Sequence, residues 1–202
     1  MRCKICGITR LEDAELAIYL GAWAVGFNFY PASPRYISPQ AAYEIIQQLP
    51  PTVLTVGIVI GLDSVALASL IQVAGVDLLQ IYSRVEGLDS FKKRMILALQ
   101  VSEQEFLPAP EVLAQYGYLL LDAPLRADGL LGGTGRLANW ALASQLAKTY
   151  RLILAGGLTA QRVAEAIRVV QPYAVDVATG VQNIPGKIDA DLLTHFFKAS
   201  TL

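Results

Sequence analysis

Eight short, apolar, β-rich runs, each followed by a helical pattern or a compact connection, predict an α/β fold closed as a (β/α)8 barrel. Strand and helix alternate along all 202 residues without a linker or a break in composition. Hydrophobic residues make up 54% of the chain and charged ones only 16%, a balance suited to strands buried on both faces. Eight units in this length come to about 25 residues each, the lower end of what a barrel needs. An open, doubly wound sheet would share the alternation, and the count of eight favours the closed form. One barrel domain over residues 1–202 is the expected organisation.

The elements follow in order. The first strand is predicted at Arg2–Cys6, and Thr9 is placed to open the helical pattern LEDAELAIYLG, which Gly21 stops. A second strand at Ala24–Phe29 leads to SPQAAYEIIQQLPP, where Ser38 caps, Pro39 fits the first turn and a double proline ends the helix. The third strand, Leu54–Val59, lies in the longest apolar stretch, VLTVGIVIGL, about half of what a bilayer span requires. After a fourth strand at Val76–Ile81, RVEGLDSFKKR leaves room for only a truncated helix before Met95–Val101. The sixth strand, Tyr118–Asp122, precedes the glycine-rich DGLLGGTGR, expected to be a mobile loop at the active site. The seventh, Leu152–Ala155, runs into Gly156-Gly157 and a helix expected to be capped by Thr159. The eighth, Ala174–Val177, is followed by ATG and a C-terminal amphipathic helix.

Composition narrows the function. Net charge is −1 and the one dense basic cluster is Lys92-Lys93-Arg94, which reads as a solvated face, so no nucleic-acid partner is expected. No membrane segment and no export leader are expected either. Two cysteines make no disulfide framework, and a cytoplasmic location follows from that usage. The expected partner is a small molecule, and monomer or homodimer stays open.

Cys3 and Cys6 are spaced like a redox pair, but strand alternation turns Cys3 and Ile5 one way and Lys4 and Cys6 the other. Residues three apart in an extended strand cannot close a disulfide. Zinc would need further ligands, and the chain has no third cysteine and a single histidine, so no metal site is expected. Cys6 ends its strand, where ligands bind in parallel α/β folds. Position leaves core filling and a working thiol both open. His195 lies on the C-terminal helix, remote from any strand end, which removes histidine-based catalysis. Proton transfer then falls to Cys, Asp, Glu, Lys or Tyr. Asp122 closes the sixth strand, facing the mouth or the loop above it. Asp176, inside the eighth strand, needs a partner, and Lys4 on the neighbouring first strand supplies it. The turns at Gly156-Gly157 and Gly180 sit at adjacent strand ends, where exposed N–H groups bind phosphate.

These stretches resemble the phosphoribosylanthranilate isomerase family, through KICGIT at 4–9, VGFNFYPASPRYIS at 25–38, LLLDAPLRADGLLGGTGRLANW at 119–140, LAGGLTAQRV at 154–163 and AVDVATGVQNIPGKID at 174–189. The resemblance implies a (β/α)8 barrel and an Amadori rearrangement of a phosphorylated ribosylamine, with no metal or organic cofactor. It implies Asp122 as acid and Cys6 as base. It implies Arg35 as holder of the substrate carboxylate, Gln80 on the pocket wall, and Gly156, Gly157, Ala178, Thr179 and Gly180 around the phosphate. The chain departs from the family at Tyr82, where a histidine is usual, and at Gln182, where a glutamate is usual. Those two departures keep a second reading in view, a relative that binds a phosphorylated ligand or a partner with little turnover. The histidine-pathway isomerase, which runs the same chemistry on a two-phosphate substrate, is resembled less, because it carries Asp where Cys6 stands.

Overall fold

The computed structural model describes residues 1–100, 107–123 and 138–201. Eight parallel strands close into a barrel: β1 (Arg2–Cys6), β2 (Ala24–Asn28), β3 (Leu54–Val59), β4 (Leu78–Ile81), β5 (Met95–Gln100), β6 (Tyr118–Asp122), β7 (Leu152–Leu154) and β8 (Ala174–Val177). Around them lie α1 (Leu11–Tyr19), α2 (Pro39–Ile46), α3 (Ser64–Ala74), α4 (Pro110–Leu113), α5 (Trp140–Ala147), α6 (Val163–Val170) and α7 (Ala190–Ser200). A small antiparallel hairpin, β9 (Gln182–Ile184) and β10 (Lys187–Ile188), follows β8. Between β4 and β5 the truncated helix takes the form of a 3₁₀ segment, Asp89–Arg94. No described helix is long and apolar enough to cross a membrane.

Strand alternation divides the core into two layers. One side of each strand faces the helices, and Cys3, Val25, Phe27, Leu79, Leu97 and Leu119 pack there. The other side fills the barrel with Ala24, Val56, Leu78, Ile96, Leu120, Ile153 and Ala174. Trp23, Tyr118 and Tyr173 stand at the N-terminal ends of their strands, with ring centroids 5.7 Å apart pairwise. The Arg2 guanidinium lies 4.3 Å from the Tyr173 ring centroid. These aromatics plug the lower end, and the cavity lies at the C-terminal ends of the strands.

Several boundaries differ from expectation for local reasons. Ser38 caps α2 as expected, accepting from Ala41 N–H at 3.2 Å. Thr9 does not cap α1, because its hydroxyl donates to the Gly186 carbonyl across the fold. Thr159 caps nothing through its side chain. Its carbonyl accepts from Arg162 and Val163 N–H at 3.0 and 2.9 Å, and α6 starts only at Val163. β4 begins at Leu78 rather than Val76, since Asp77 turns aside to bond Thr55 through N–H and hydroxyl at 2.8 Å. The DGLLGGTGR segment lies outside the described residues.

Candidate active site

Inward-facing positions at the upper ends of the strands build one cavity of about 250 Å³. Cys6, Arg35, Gln80, Asp122, Gly156, Gly157, Ala178, Thr179 and Gly180, the nine residues singled out from the sequence, all line it. Strand order arranges them along an arc of the rim. Asp122 ends β6, the Gly156-Gly157 turn follows β7, Ala178–Gly180 follow β8, Cys6 ends β1, and Arg35 sits beyond β2. Gln80, on β4, closes the wall opposite.

Cys3 and Cys6 are both free thiols, and they point apart. Cys3 meets Ser200 Oγ of α7 at 3.3 Å in the helix layer, whereas Cys6 faces the cavity. Burial pushes the Cys6 thiol above its ordinary range, while the Lys4 ammonium pulls the other way. Lys4 is fully buried and pairs with Asp176 at 2.9 Å, across strands in direct register. Burial, the largest influence, would lower the Lys4 pKa, but Asp176 and Cys6 together more than offset it and the amine stays charged.

Asp122 is half-buried, and its carboxyl is pushed up to about 6. Burial is the main cause, the Ala123 N–H at 2.7 Å opposes it, and the nearby Asp176 carboxylate adds to it. A carboxyl poised there exchanges protons close to neutrality, as an acid catalyst requires.

The glycine turns differ from expectation in one respect. Because α6 starts at Val163, Gly156-Gly157 does not sit on a helix N-terminus. The two glycines adopt left-handed φ of 83° and 65°, a conformation that side chains resist. Among the described residues, neither glycine N–H donates to a protein acceptor. Gly180 lies so close to the Leu158 carbonyl that a Cβ would collide with it, which presses the two turns together.

Arg35 is held by a network that the sequence does not display. Ser33 Oγ accepts from Arg35 N–H at 3.1 Å and from Asn28 Nδ2 at 3.0 Å, shaping the loop after β2. The Arg35 stem crosses directly over Gly7, where any side chain would displace it. Its Nε–H donates to Gln182 Oε1 at 2.7 Å. Arg162 also lines the cavity, beside the glycine turn. Its place in the helical pattern LTAQRVAEAIRVVQP gives no sign of this, since the sequence predicts a helix from Thr159 onward whereas α6 starts at Val163. Tyr82 lines the cavity, on the same side of the chain as Gln80 two residues before it, and its hydroxyl accepts from Gln80 Nε2 at 2.9 Å. Gln80 Oε1, buried on the wall, has no partner among the described residues.

A model of the family described as N-(5'-phosphoribosyl)anthranilate isomerase matches residues 3–199. The chain belongs to this family. It is 41% identical over 200 residues to the N-(5'-phosphoribosyl)anthranilate isomerase of Pelobacter propionicus, covering 98% of this chain and 94% of that protein. It is also 41% identical to the isomerase of Nitrosococcus oceani over 202 residues, covering 98% and 96%. The crystal structure of phosphoribosyl anthranilate isomerase from Thermus thermophilus superposes with a TM-score of 0.83 at 35% identity, covering 98% of each chain. A phosphoribosyl anthranilate isomerase solved with reduced 1-(o-carboxyphenylamino)-1-deoxyribulose 5-phosphate superposes with a TM-score of 0.80 at 34% identity, covering 99% and 98%.

Proposed function

We infer that this cavity converts N-(5'-phosphoribosyl)anthranilate to 1-(o-carboxyphenylamino)-1-deoxyribulose 5-phosphate, with Asp122 as general acid and Cys6 as general base. The observation that carries the assignment is the order of groups on the rim. The pair of glycine turns lies between Asp122 and Cys6, and the Arg35 cation lies beyond Cys6. A phosphate at Gly157 and Gly180 sets the ribose between the two proton-transfer groups and directs the aryl carboxylate to Arg35.

Asp122, as the carboxylic acid, protonates the furanose oxygen while the C1′–O bond breaks and the anilino nitrogen lone pair forms C1′=N⁺. The Cys6 thiolate then takes the C2′ proton. The C–H electrons become the C1′=C2′ bond, the C=N electrons return to nitrogen, and the enolamine tautomerises to the 2′-ketone. Asp122 gives one proton and Cys6 takes one, so the count closes. Burial favours the protonated Cys6 thiol at rest, so the step runs in the fraction of enzyme whose Cys6 has already released its proton to solvent while Asp122 holds its own, and two features favour the transfer. The Lys4 ammonium stabilises the thiolate, and the iminium makes the C2′ proton more acidic. Steady-state assay of the purified protein on N-(5'-phosphoribosyl)anthranilate tests this. Turnover to the ketose supports the reading, and tight binding without turnover would replace it with a ligand-binding role.

A further inference from the structure

The rearrangement moves four protons, and Asp122 and Cys6 account for two of them. The enolamine has still to gain a proton at C1′ and lose one from its C2′ hydroxyl. At that stage Cys6 is a thiol carrying the C2′ proton, and Asp122 is a carboxylate facing the 4′-hydroxyl it has just made. Among the described residues one further carboxylate lines the cavity, Asp176 of β8. It lies in direct register with Lys4, and Cys6 follows Lys4 by two residues on the same inward side of β1. Its Oδ1 accepts from the Lys4 ammonium at 2.9 Å, and among the described residues no donor reaches Oδ2. Burial is the largest cause of the raised pKa values of Cys6, Asp122 and Tyr82, and the Asp176 charge adds to it at all three. One carboxylate therefore stands among the groups that surround the reacting carbons. The turn at 178–180 begins two residues after it, so a pentulose chain anchored there by its phosphate runs past Asp176 towards Cys6.

We propose that Asp176 is a further catalytic residue, whose free oxygen takes the C2′ hydroxyl proton while the Cys6 thiol returns its proton to C1′, so that the enolamine becomes the ketose inside the cavity. This rests on the isomerase reading. The O–H electrons form the C2′=O bond, the C1′=C2′ electrons take the proton from sulfur, and a thiolate and a carboxylic acid are left. Asp176 then loses its proton to solvent and Asp122 regains one, which restores the starting charges. C1′ and C2′ are bonded neighbours, so one thiol serves both without a large movement. The Lys4 ammonium holds the other oxygen of Asp176 and also favours the regenerated thiolate. Release of the enolamine to water would instead leave this carboxylate with no part in the chemistry.

The test runs the full chain on N-(5'-phosphoribosyl)anthranilate in deuterium oxide, traps the ketose with borohydride within a few turnovers, and reads the C1′ positions by NMR. Delivery from Cys6 in the cavity reaches one face of the enolamine only. Wild type should therefore return the substrate's own C2′ hydrogen to C1′ or place deuterium at one of the two C1′ positions, never at both. Asp176→Asn keeps an oxygen for Lys4 but removes the base. Its ketose should lag behind substrate loss, and deuterium should appear at both C1′ positions. If that variant does not fold, Lys4→Met/Asp176→Asn, which strands no buried charge, is read the same way at high enzyme concentration. Deuterium at both positions in the wild type, or a single position with no lag in the Asp176 variants, would overturn the proposal. Failure of the wild type to consume substrate would overturn the isomerase reading itself, and the role of Asp176 would fall with it.

Discussion

Replacing Lys4 with methionine separates what the buried ion pair does for folding from what it does for chemistry. Lys4 is fully buried and Asp176 nearly so, and they meet at 2.9 Å. Removing one partner strands a carboxylate inside the barrel, at a cost of about 3–5 kcal/mol. For a chain of this size each kcal/mol lowers Tm by roughly 2–4 °C. Lys4→Met should therefore melt some 6–20 °C below wild type, combining about 3–5 kcal/mol with that slope. The double variant Lys4→Met/Asp176→Leu removes both charges, and buried pairs replaced by apolar residues are often neutral or better. Its Tm should return most of the way. Activity should not return with it, because the Cys6 thiolate has lost the cation that favours it. Thermal melts and steady-state assays on the three proteins measure both quantities. A double variant that regains stability and also keeps wild-type kcat would refute the assignment of Lys4 to catalysis and leave the pair a scaffold.

The pH profile of kcat/KM should fall on the acid side with an apparent pKa of about 6, set by Asp122. Below that value Asp122 is fully protonated and only the Cys6 thiolate fraction still changes, falling tenfold per unit. Above it the acid form declines as the thiolate grows, and the rate stays level until the raised Cys6 pKa is passed. An acid limb near 4 would show that burial does not perturb Asp122 in solution. Tyr82 faces the cavity where a smaller ring would leave more space, so Tyr82→His should raise kcat/KM by roughly tenfold, within the usual range for pocket misfit. A slower variant would make Tyr82, with its bond from Gln80, an adapted part of the site. Arg162 borders the glycine turn and is exposed, so Arg162→Ala should raise KM a few-fold with little change in kcat, and more at low salt than at high salt. Loss of kcat without a change in KM would place Arg162 elsewhere in the mechanism.

The barrel was legible because its signals are local. Short, apolar, β-rich runs such as YLLLD and AVDV, buried on both faces, located each strand to within about two residues, and alternation along β1 turns Cys3 to the helix layer and Cys6 to the mouth. The Lys4–Asp176 pair could be read because closing the barrel makes the first and eighth strands neighbours. What stayed hidden depends on contacts distant in sequence. Thr9 is a reasonable helix cap until the Gly186 carbonyl arrives from the far end of the chain. Gln182 reads in the sequence only as a departure from the family, because its partners Arg35, Gly7 and Cys6 lie more than 140 positions away. The β9–β10 hairpin, three residues against two, is too short to leave a period.

The central claim is that one acid and one base, Asp122 and Cys6, share the work in a single cavity. It is met most directly by comparing kcat and KM of Cys6→Ala and Asp122→Ala with wild type on N-(5'-phosphoribosyl)anthranilate. Each variant should lose about 10²-fold or more in kcat, the usual contribution of a positioned acid or base. KM should change far less, because the glycine turns and Arg35, the proposed holders of phosphate and carboxylate, remain in place. Near-wild-type turnover in either variant would contradict the account.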